Sequence, residues 1–430
     1  MASIWEKFYF SKEEREAAYK KKFEAIYKNL RVEPLTTEDD FKNFYEPLVK
    51  GMMGDFVASL NMNENTGKFL FTGHRGCGVS TELNHLAMDL VKKYTVIQCS
   101  LLELADPLDP DFKDILLLVA TETLRKLLEL GYDLEQLKPA IKVIYSLTDR
   151  SPEEFEKHNI ELYLNNLYHI MLGNAKRRGE IRLKLESKTV DIIDIITDNA
   201  NLLEQFTEKQ PIVIIDDLDK ITVDEAEKIF LKNKRTMNLP QCRIIYTMPF
   251  GLYYKDEFSL LTRDYTDCLV IPLTNMYSKK NKENDKGVEI FEKLVKKRIK
   301  EPDDYFEDEI VTDIIVRTGG IVKHLIELLN QCCFVNMQEK IKFVGDKTLK
   351  NVIDRRKRDW YRLLDKKERS MLRKVYETKN IYSVEPKTLP HLLDFGFVLE
   401  QRQDDVWFDI HPILRQALDV AEEPDFADFK

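Results

Sequence analysis

The chain has 430 residues, 43% of them hydrophobic and 33% charged, with a formal net charge of -9. That composition is enough for two to four domains with sizeable cores and excludes an intrinsically disordered polymer. The acidic balance argues against general affinity for nucleic acid, which rests on neutralising phosphates, and leaves room only for a local basic face.

The six cysteines, Cys77, Cys99, Cys242, Cys268, Cys332 and Cys333, form no Cys-x-x-Cys pair and have no metal-ligand spacing. Free thiols in a reducing compartment are the simple reading. Met1 to Lys7 lacks the apolar core of a secretory signal, and no run approaches the length of a membrane span, so a cytoplasmic location without a membrane partner is expected.

In chain order, Ser11-Lys12-Glu13-Glu14 has the pattern of a capping box, and Tyr19, Phe23, Ile26 and Leu30 then recur at helical spacing. The stripe predicts an N-terminal helix docked on the core or on another subunit, with Pro34 closing the segment. Lys68 to Thr72 reads as a short buried strand, and Thr81 to Lys93 as an amphipathic helix through Leu83, Leu86, Leu90 and Val91.

Between them runs Gly73-His74-Arg75-Gly76-Cys77-Gly78-Val79-Ser80-Thr81. Gly73, Gly78 and Ser80 fall in register with the P-loop pattern, but valine stands where that motif requires lysine. Such a loop holds phosphate because backbone N–H groups converge on the anion and the next helix presents the positive end of its dipole. Val79 keeps the amides and lacks the ammonium that follows the phosphates into the transition state, so binding with weakened hydrolysis is expected. Gly73, Gly76, Cys77, Gly78, Val79, Ser80 and Thr81 are the candidate binding residues, and Ser80 is a candidate magnesium ligand. Arg75 could partly replace the missing charge, Cys77 could be oxidation-sensitive, and taken alone the loop also reads as a glycine-rich turn without a ligand.

Tyr94 to Ile97 reads as a second strand, followed by roughly a hundred mainly helical residues, longer than a crossover needs. Within this insertion Ser151-Pro152-Glu153-Glu154 starts a helix, and Arg177, Arg178 and Arg182 cluster as a solvated face or as an arginine finger for a neighbouring subunit. Pro211 to Ile215 is then an unbroken apolar run ending in Asp216-Asp217-Leu218-Asp219-Lys220, as expected of a parallel strand buried on both faces. In this Walker B pattern Asp216 would reach the magnesium shell and Asp217 would orient or deprotonate the attacking water, while Asp219 and Lys220 look peripheral.

A third strand, Cys242 to Thr247, puts Thr247 at the carboxyl end, where open α/β sheets bind ligands; its hydroxyl is either a phosphate sensor or structural. After Pro272 the polar stretch Ser278 to Lys286 reads as an exposed loop. Ile290, Phe291, Leu294 and Val295 mark a helix on which Arg298 could face a nucleotide, and Leu325, Leu328 and Leu329 mark the helix after Gly320. Helices around Leu363 to Tyr376 and Leu389 to Leu393, then a hairpin from Val398-Leu399-Glu400 and Val406 to Ile410, give a winged-helix order. Arg355 to Arg358 make its entrance basic, but Asp404, Asp405 and Asp409 make the wing acidic, which favours a regulatory or protein-binding role over DNA.

Together the loop Gly73 to Leu83, the Asp216 to Lys220 box, the Thr318-Gly319-Gly320 turn and the winged-helix pattern resemble the bacterial P-loop ATPases of the AAA+ and STAND type, from about residue 38 onward. The resemblance implies an α/β fold, a P-loop NTPase parallel sheet with a helical insertion, followed by a helical lid and a winged-helix domain. It implies ATP or ADP with Mg2+ as ligands, and a nucleotide-driven switch in signalling or defence against phage. In that family a Gly-Gly-x-x-Arg turn places a cation near the γ-phosphate, so Lys323 is an implied sensor beside the alternative of a solvated helix-start lysine; His324 fits less well.

The expected domains are 1–50, an N-terminal helical segment; 51–275, the core with its insertion at about 101–208; 276–350, the lid; and 351–430, the winged helix. No nuclease, protease or membrane-breaking constellation and no clustered His/Cys metal site is visible, so the output is expected to pass to a protein effector or a homo-oligomer. Two rivals stay open: an origin-recognition-like DNA-binding ATPase, and a pseudo-ATPase scaffold that binds no nucleotide. Val79 is explained equally by a naturally slow ATPase and by an introduced substitution.

Overall fold

The computed structural model describes residues 11–48, 52–62, 66–148, 156–261, 263–402 and 405–419. Met1 to Lys7, the helix start at Ser151 to Glu154, and Asp404 of the acidic wing lie outside them. In chain order the main elements are α1 (Lys12–Tyr27), β1 (Lys68–Gly73), α2 (Val79–Leu90), β2 (Thr95–Ser100), α3 (Phe112–Glu129), α4 (Leu134–Ser146), α5 (Lys157–Gly173), α6 (Ala175–Ser187) and α7 (Thr189–Thr207). Then come β3 (Pro211–Asp216), β4 (Arg243–Thr247), β5 (Asp267–Ile271), α8 (Asp285–Arg298), α9 (Ile310–Val316), α10 (Val322–Glu339) and α11 (Asp346–Tyr361). The chain continues through α12 (Lys366–Thr378), α13 (Leu389–Asp394), β6 (Val398–Arg402), β7 (Val406–Ile410) and α14 (Pro412–Asp419).

The contacts divide the chain into two units, one of residues 51–73 and 82–271, the other of 1–50, 74–81 and 272–430. The first is an α/β unit built on a five-stranded, all-parallel sheet in the order β2-β3-β4-β1-β5. Continuous apolar runs such as Ile212 to Ile215 suit strands covered on both faces, and these four residues are fully buried. On β1, Phe69 and Phe71 meet Phe56 edge-on, while Leu70 points to the opposite face and joins the cluster with Ile97, Ile115 and Val213. Helices α3 to α7 fill the stretch between β2 and β3, with Ile115 to Ala120 of α3 wholly buried at its centre.

The helix after the loop begins at Val79, two residues earlier than expected, and ends at Leu90. Val91, assigned by periodicity to the apolar stripe, is 53% exposed, and Tyr94 fills the core in its place.

In the second unit α1 carries the expected capping box: Ser11 N donates to Glu14 Oε2 at 2.7 Å, and Glu14 N to Ser11 Oγ at 3.1 Å. Its Phe23 and Ile26, with Leu30, bury against Phe291, Ile315, Leu325 and Leu329 of α8 to α10, which is the core-packing alternative for that stripe. Burial of this kind contributes about 2 kcal/mol per side chain. Arg298, read as a nucleotide-facing residue, is buried and donates from Nη1 to the carbonyl of Phe44 at 3.1 Å; burial lowers its guanidinium to about 10. Two helices, α12 and α13, precede the antiparallel hairpin β6–β7, paired from Val398 opposite Ile410 to Arg402 opposite Val406.

Candidate functional site

The carboxyl ends of β1, β3 and β4 lie on one edge of the parallel sheet, which places Gly73, Asp216 and Thr247 there. This is the edge at which open α/β sheets bind ligands. At the end of β3 the chain turns sharply, with Asp217 held in the left-handed region at φ 68°. The Asp217 N–H donates to Asp216 Oδ1 at 2.7 Å. Asp216, Asp217 and Asp219 each present a carboxylate oxygen within 4.8 Å of the others, the one such group of possible metal ligands among the described residues. Hard, closely spaced oxygens are the donor set that Mg2+ takes, so the cluster fits that ion.

Asp217 is also engaged by protein groups: its carboxylate accepts from Ser100 Oγ at the end of β2 and pairs with Lys220 Nζ. The same carboxylate raises the Lys220 ammonium above its usual value, against the opposing effect of burial. Thus Asp219 and Lys220, which looked peripheral, are part of the cluster. Thr247 is fully buried, and its hydroxyl donates to Ile215 C=O at 3.2 Å and accepts from Leu218 N–H at 2.9 Å. It pins the turn that presents the carboxylates.

The glycine-loop residues His74 to Thr81 pack within the second unit. Gly76 and Gly78 have φ of 86° and 112°, backbone that only glycine adopts without strain. The Cys77 N–H closes the turn on His74 C=O at 2.9 Å, and the Cys77 side chain is buried, so the expected oxidation-sensitive thiol is shielded. Val79 is 5% exposed and opens α2, putting an apolar group where the motif has an ammonium. Ser80 is half-buried in the same first turn, while Thr81 Oγ1 accepts from Leu35 N–H at 3.3 Å.

Lys323 meets the loop through its backbone: its N–H donates to Gly76 C=O at 3.0 Å, and a Cβ on Gly76 would lie 2.7 Å from Lys323 Cβ. The Lys323 ammonium is half-exposed and 3.9 Å from Glu327 Oε1. Periodicity and motif matching did not find His74. Its ring is 1% exposed; Nδ1 donates to Leu393 C=O at 3.3 Å and Nε2 accepts from Glu400 N–H at 2.9 Å. Burial lowers this imidazole to about 3. The Thr318-Gly319-Gly320 turn is equally committed: His411 Nε2 lies 3.1 Å from Thr318 C=O and 3.0 Å from His324 Nδ1. A Cβ on Gly319 would come within 2.5 Å of Leu399 Cδ1.

Of the arginine cluster in the insertion, Arg177 is exposed, whereas Arg178 and Arg182 are engaged internally. Arg178 Nη2 lies 2.9 Å from Asp109 Oδ2, and Arg182 reaches Asp109 at 3.1 Å and the fully buried Asp114 at 2.5 Å. These pairs replace the arginine-finger reading for both residues. In the basic entrance, Arg356 is buried against Glu327 at 2.9 Å and Lys357 pairs with Asp354 at 2.8 Å, which leaves Arg355 and Arg358 as its exposed guanidinium groups.

No family model matches the chain, and none of the curated proteins compared is similar to it. Among solved structures it is similar to Cdc6p from Pyrobaculum aerophilum, at 12% identity over 90% of this chain and 97% of that one, with a TM-score of 0.37. It is similar to the Thermotoga maritima RuvB Holliday junction branch migration motor, at 14% identity over 90% and 98% of the two chains, with a TM-score of 0.35. A third is the Aeropyrum pernix Orc1 protein in complex with DNA, at 10% identity over 91% and 95%, with a TM-score of 0.36. Among the described residues no helix is long and apolar enough to cross a membrane.

Proposed function

We propose that the chain is an ATP-binding molecular switch of AAA+ or STAND type, whose nucleotide state is relayed to a protein effector or to self-assembly and whose hydrolysis is weakened by Val79. The observation that carries this is the end of the parallel sheet: β1 feeds a glycine loop with two left-handed turns into a helix N-terminus, and β3 ends on the same edge in three clustered carboxylates. The loop amides of Gly76 to Ser80 would hold phosphate oxygens and the carboxylate of Asp216 would hold Mg2+, while a magnesium-ligand role for Ser80 rests on the family resemblance. Bound there, that ion would supply neutralisation of phosphate charge. Asp217 would orient the attacking water once Lys220 releases its carboxylate. Thr247 supports the turn, and Lys323 reads the loop by its backbone.

The choice of adenine, the winged-helix assignment of α12 to β7, and a role in bacterial signalling or anti-phage defence rest on the family resemblance. A fluorescent ATP analogue titrated with and without magnesium tests the site. Saturable binding that Asp216→Asn makes independent of magnesium agrees with the proposal, and no binding under either condition contradicts it.

A DNA-binding reading has the exposed Arg355 and Arg358 in its favour. It requires salt-sensitive duplex binding that weakens when both are neutralised.

A further inference from the structure

The second residue of the phosphate loop, His74, is tied on both ring nitrogens to elements more than three hundred positions away in the chain: Leu393 C=O at the end of α13 and Glu400 N–H in β6. We propose that His74 is a positioning residue that couples the phosphate loop to the hairpin β6–β7, so that nucleotide at the loop resets the hairpin. This rests on the nucleotide reading above.

The physical basis is that the contact cannot slide. A neutral imidazole has one donor and one acceptor; here both are used, and the ring is buried. A displacement of the loop relative to the hairpin therefore strands the Glu400 N–H inside the protein and leaves the Leu393 carbonyl accepting from the Gly396 N–H at 3.0 Å. Contacts of this kind break as a unit rather than stretch, which gives two discrete arrangements instead of a continuum.

The second strand of the hairpin is held too. His411, immediately after β7, meets Thr318 C=O and His324 at 3.1 and 3.0 Å, and His324 follows Lys323, whose N–H donates to the loop carbonyl of Gly76. Trp360 stacks edge-on against the His411 ring at 4.7 Å and against Phe397 at 5.7 Å. The loop thus touches the hairpin directly through His74 and by way of α10 through His411. The direct link is the one a single side chain can remove.

The test uses the full chain, its His74→Ala variant and its His74→Gln variant, because a glutamine amide can also donate one hydrogen bond and accept another. ATP affinity and amide hydrogen exchange of residues 389–402 are measured with and without ATP and magnesium. In the unchanged chain and in His74→Gln, ATP alters exchange across that segment. In His74→Ala, at ATP concentrations that saturate that variant, the segment no longer responds, and the Glu400 amide exchanges at least about tenfold faster without nucleotide.

A His74→Ala variant whose segment responds to ATP like the unchanged chain overturns the coupling, as does an unaltered Glu400 amide. If the unchanged chain binds no ATP, the nucleotide reading falls and the relay with it, a result distinct from binding without response. Should His74→Ala fail to fold, the unchanged chain decides alone: the imidazole nitrogen resonances of His74 shift when ATP is added, and resonances that stay put overturn the proposal.

Discussion

Acidification from about pH 7.5 to about pH 5 destabilises the unit that holds the hairpin, and the size of the effect follows from three histidines. His74, His324 and His411 are buried and neutral; burial lowers His74 and His324 to about 3 and takes His411 well below its ordinary value. Positive groups face them and add to the cost of a proton: Arg402 beside His74, Arg356 and Lys323 beside His324, and Arg356 and Arg415 beside His411, while a proton on either of His324 and His411 would repel one on the other. The carbonyls of Leu393 and Thr318 favour the proton but do not outweigh burial.

Unfolded imidazoles protonate near 6.5, so the unfolded chain binds more protons between about 6.5 and about 3. The stability is complete above that window and falls as pH drops through it. At about pH 5 the deficit is about 1.5 pH units per histidine, or about 2 kcal/mol each and about 6 kcal/mol for three, independent of how far below 5 the buried values lie. Glu400 offsets part of this, because burial raises its carboxyl and the folded state takes up that proton first. A loss of this size is comparable to the whole stability of many domains.

Urea unfolding followed by tryptophan fluorescence is the assay, since Trp360 and Trp407 both belong to this unit. The midpoint falls steeply with pH, and His74→Gln removes about a third of the dependence. A midpoint unchanged between the two pH values, or an equal slope in His74→Gln, refutes the reasoning.

Three further outcomes follow from particular contacts. Gly320→Ala puts a Cβ 2.1 Å from the Thr274 carbonyl oxygen at a φ of 88°, so it lowers stability by more than about 2 kcal/mol in a thermal melt; an unchanged melting temperature contradicts the packing of that turn. Arg182→Ala leaves the Asp114 carboxylate buried with its main partner gone and costs about 3–5 kcal/mol in the α/β unit, whereas Arg182→Ala with Asp114→Leu recovers much of it. Lys68 is buried under three carbonyls, of Thr66, Pro240 and Cys242, and burial lowers its ammonium to about 8. Unfolded lysine holds its proton to about 10.4, so stability rises with pH between these values; the difference between the chain and Lys68→Met over that range shows the rise, and parallel curves sink the assignment.

The sheet and the loop were legible in the sequence because their signals are local. A parallel strand covered on both faces writes itself as a run such as Ile212 to Ile215, and Gly76 and Gly78 mark left-handed backbone by residue type alone. What stayed hidden depends on partners far along the chain. Arg178 and Arg182 look like a solvated cluster until Asp109 and Asp114 are brought beside them, and Arg298 looks available until the carbonyl of Phe44 takes its guanidinium. His74 gives no local sign of its role, since both its partners are main-chain groups of the C-terminal region. Val91 fits the helical period but falls one residue past the end of α2, where the chain has already turned.

The measurement that bears most directly on the central claim is ATP binding and turnover by this chain and by Val79→Lys, side by side with magnesium. The account predicts that the chain binds ATP with little turnover, and that Val79→Lys raises turnover by about a hundredfold or more, the scale associated with one transition-state donor. Adding Asp217→Asn to Val79→Lys removes that gain while binding remains. If neither chain binds ATP, the loop is a glycine-rich turn, the carboxylates of Asp216, Asp217 and Asp219 are structural, and the switch account is wrong.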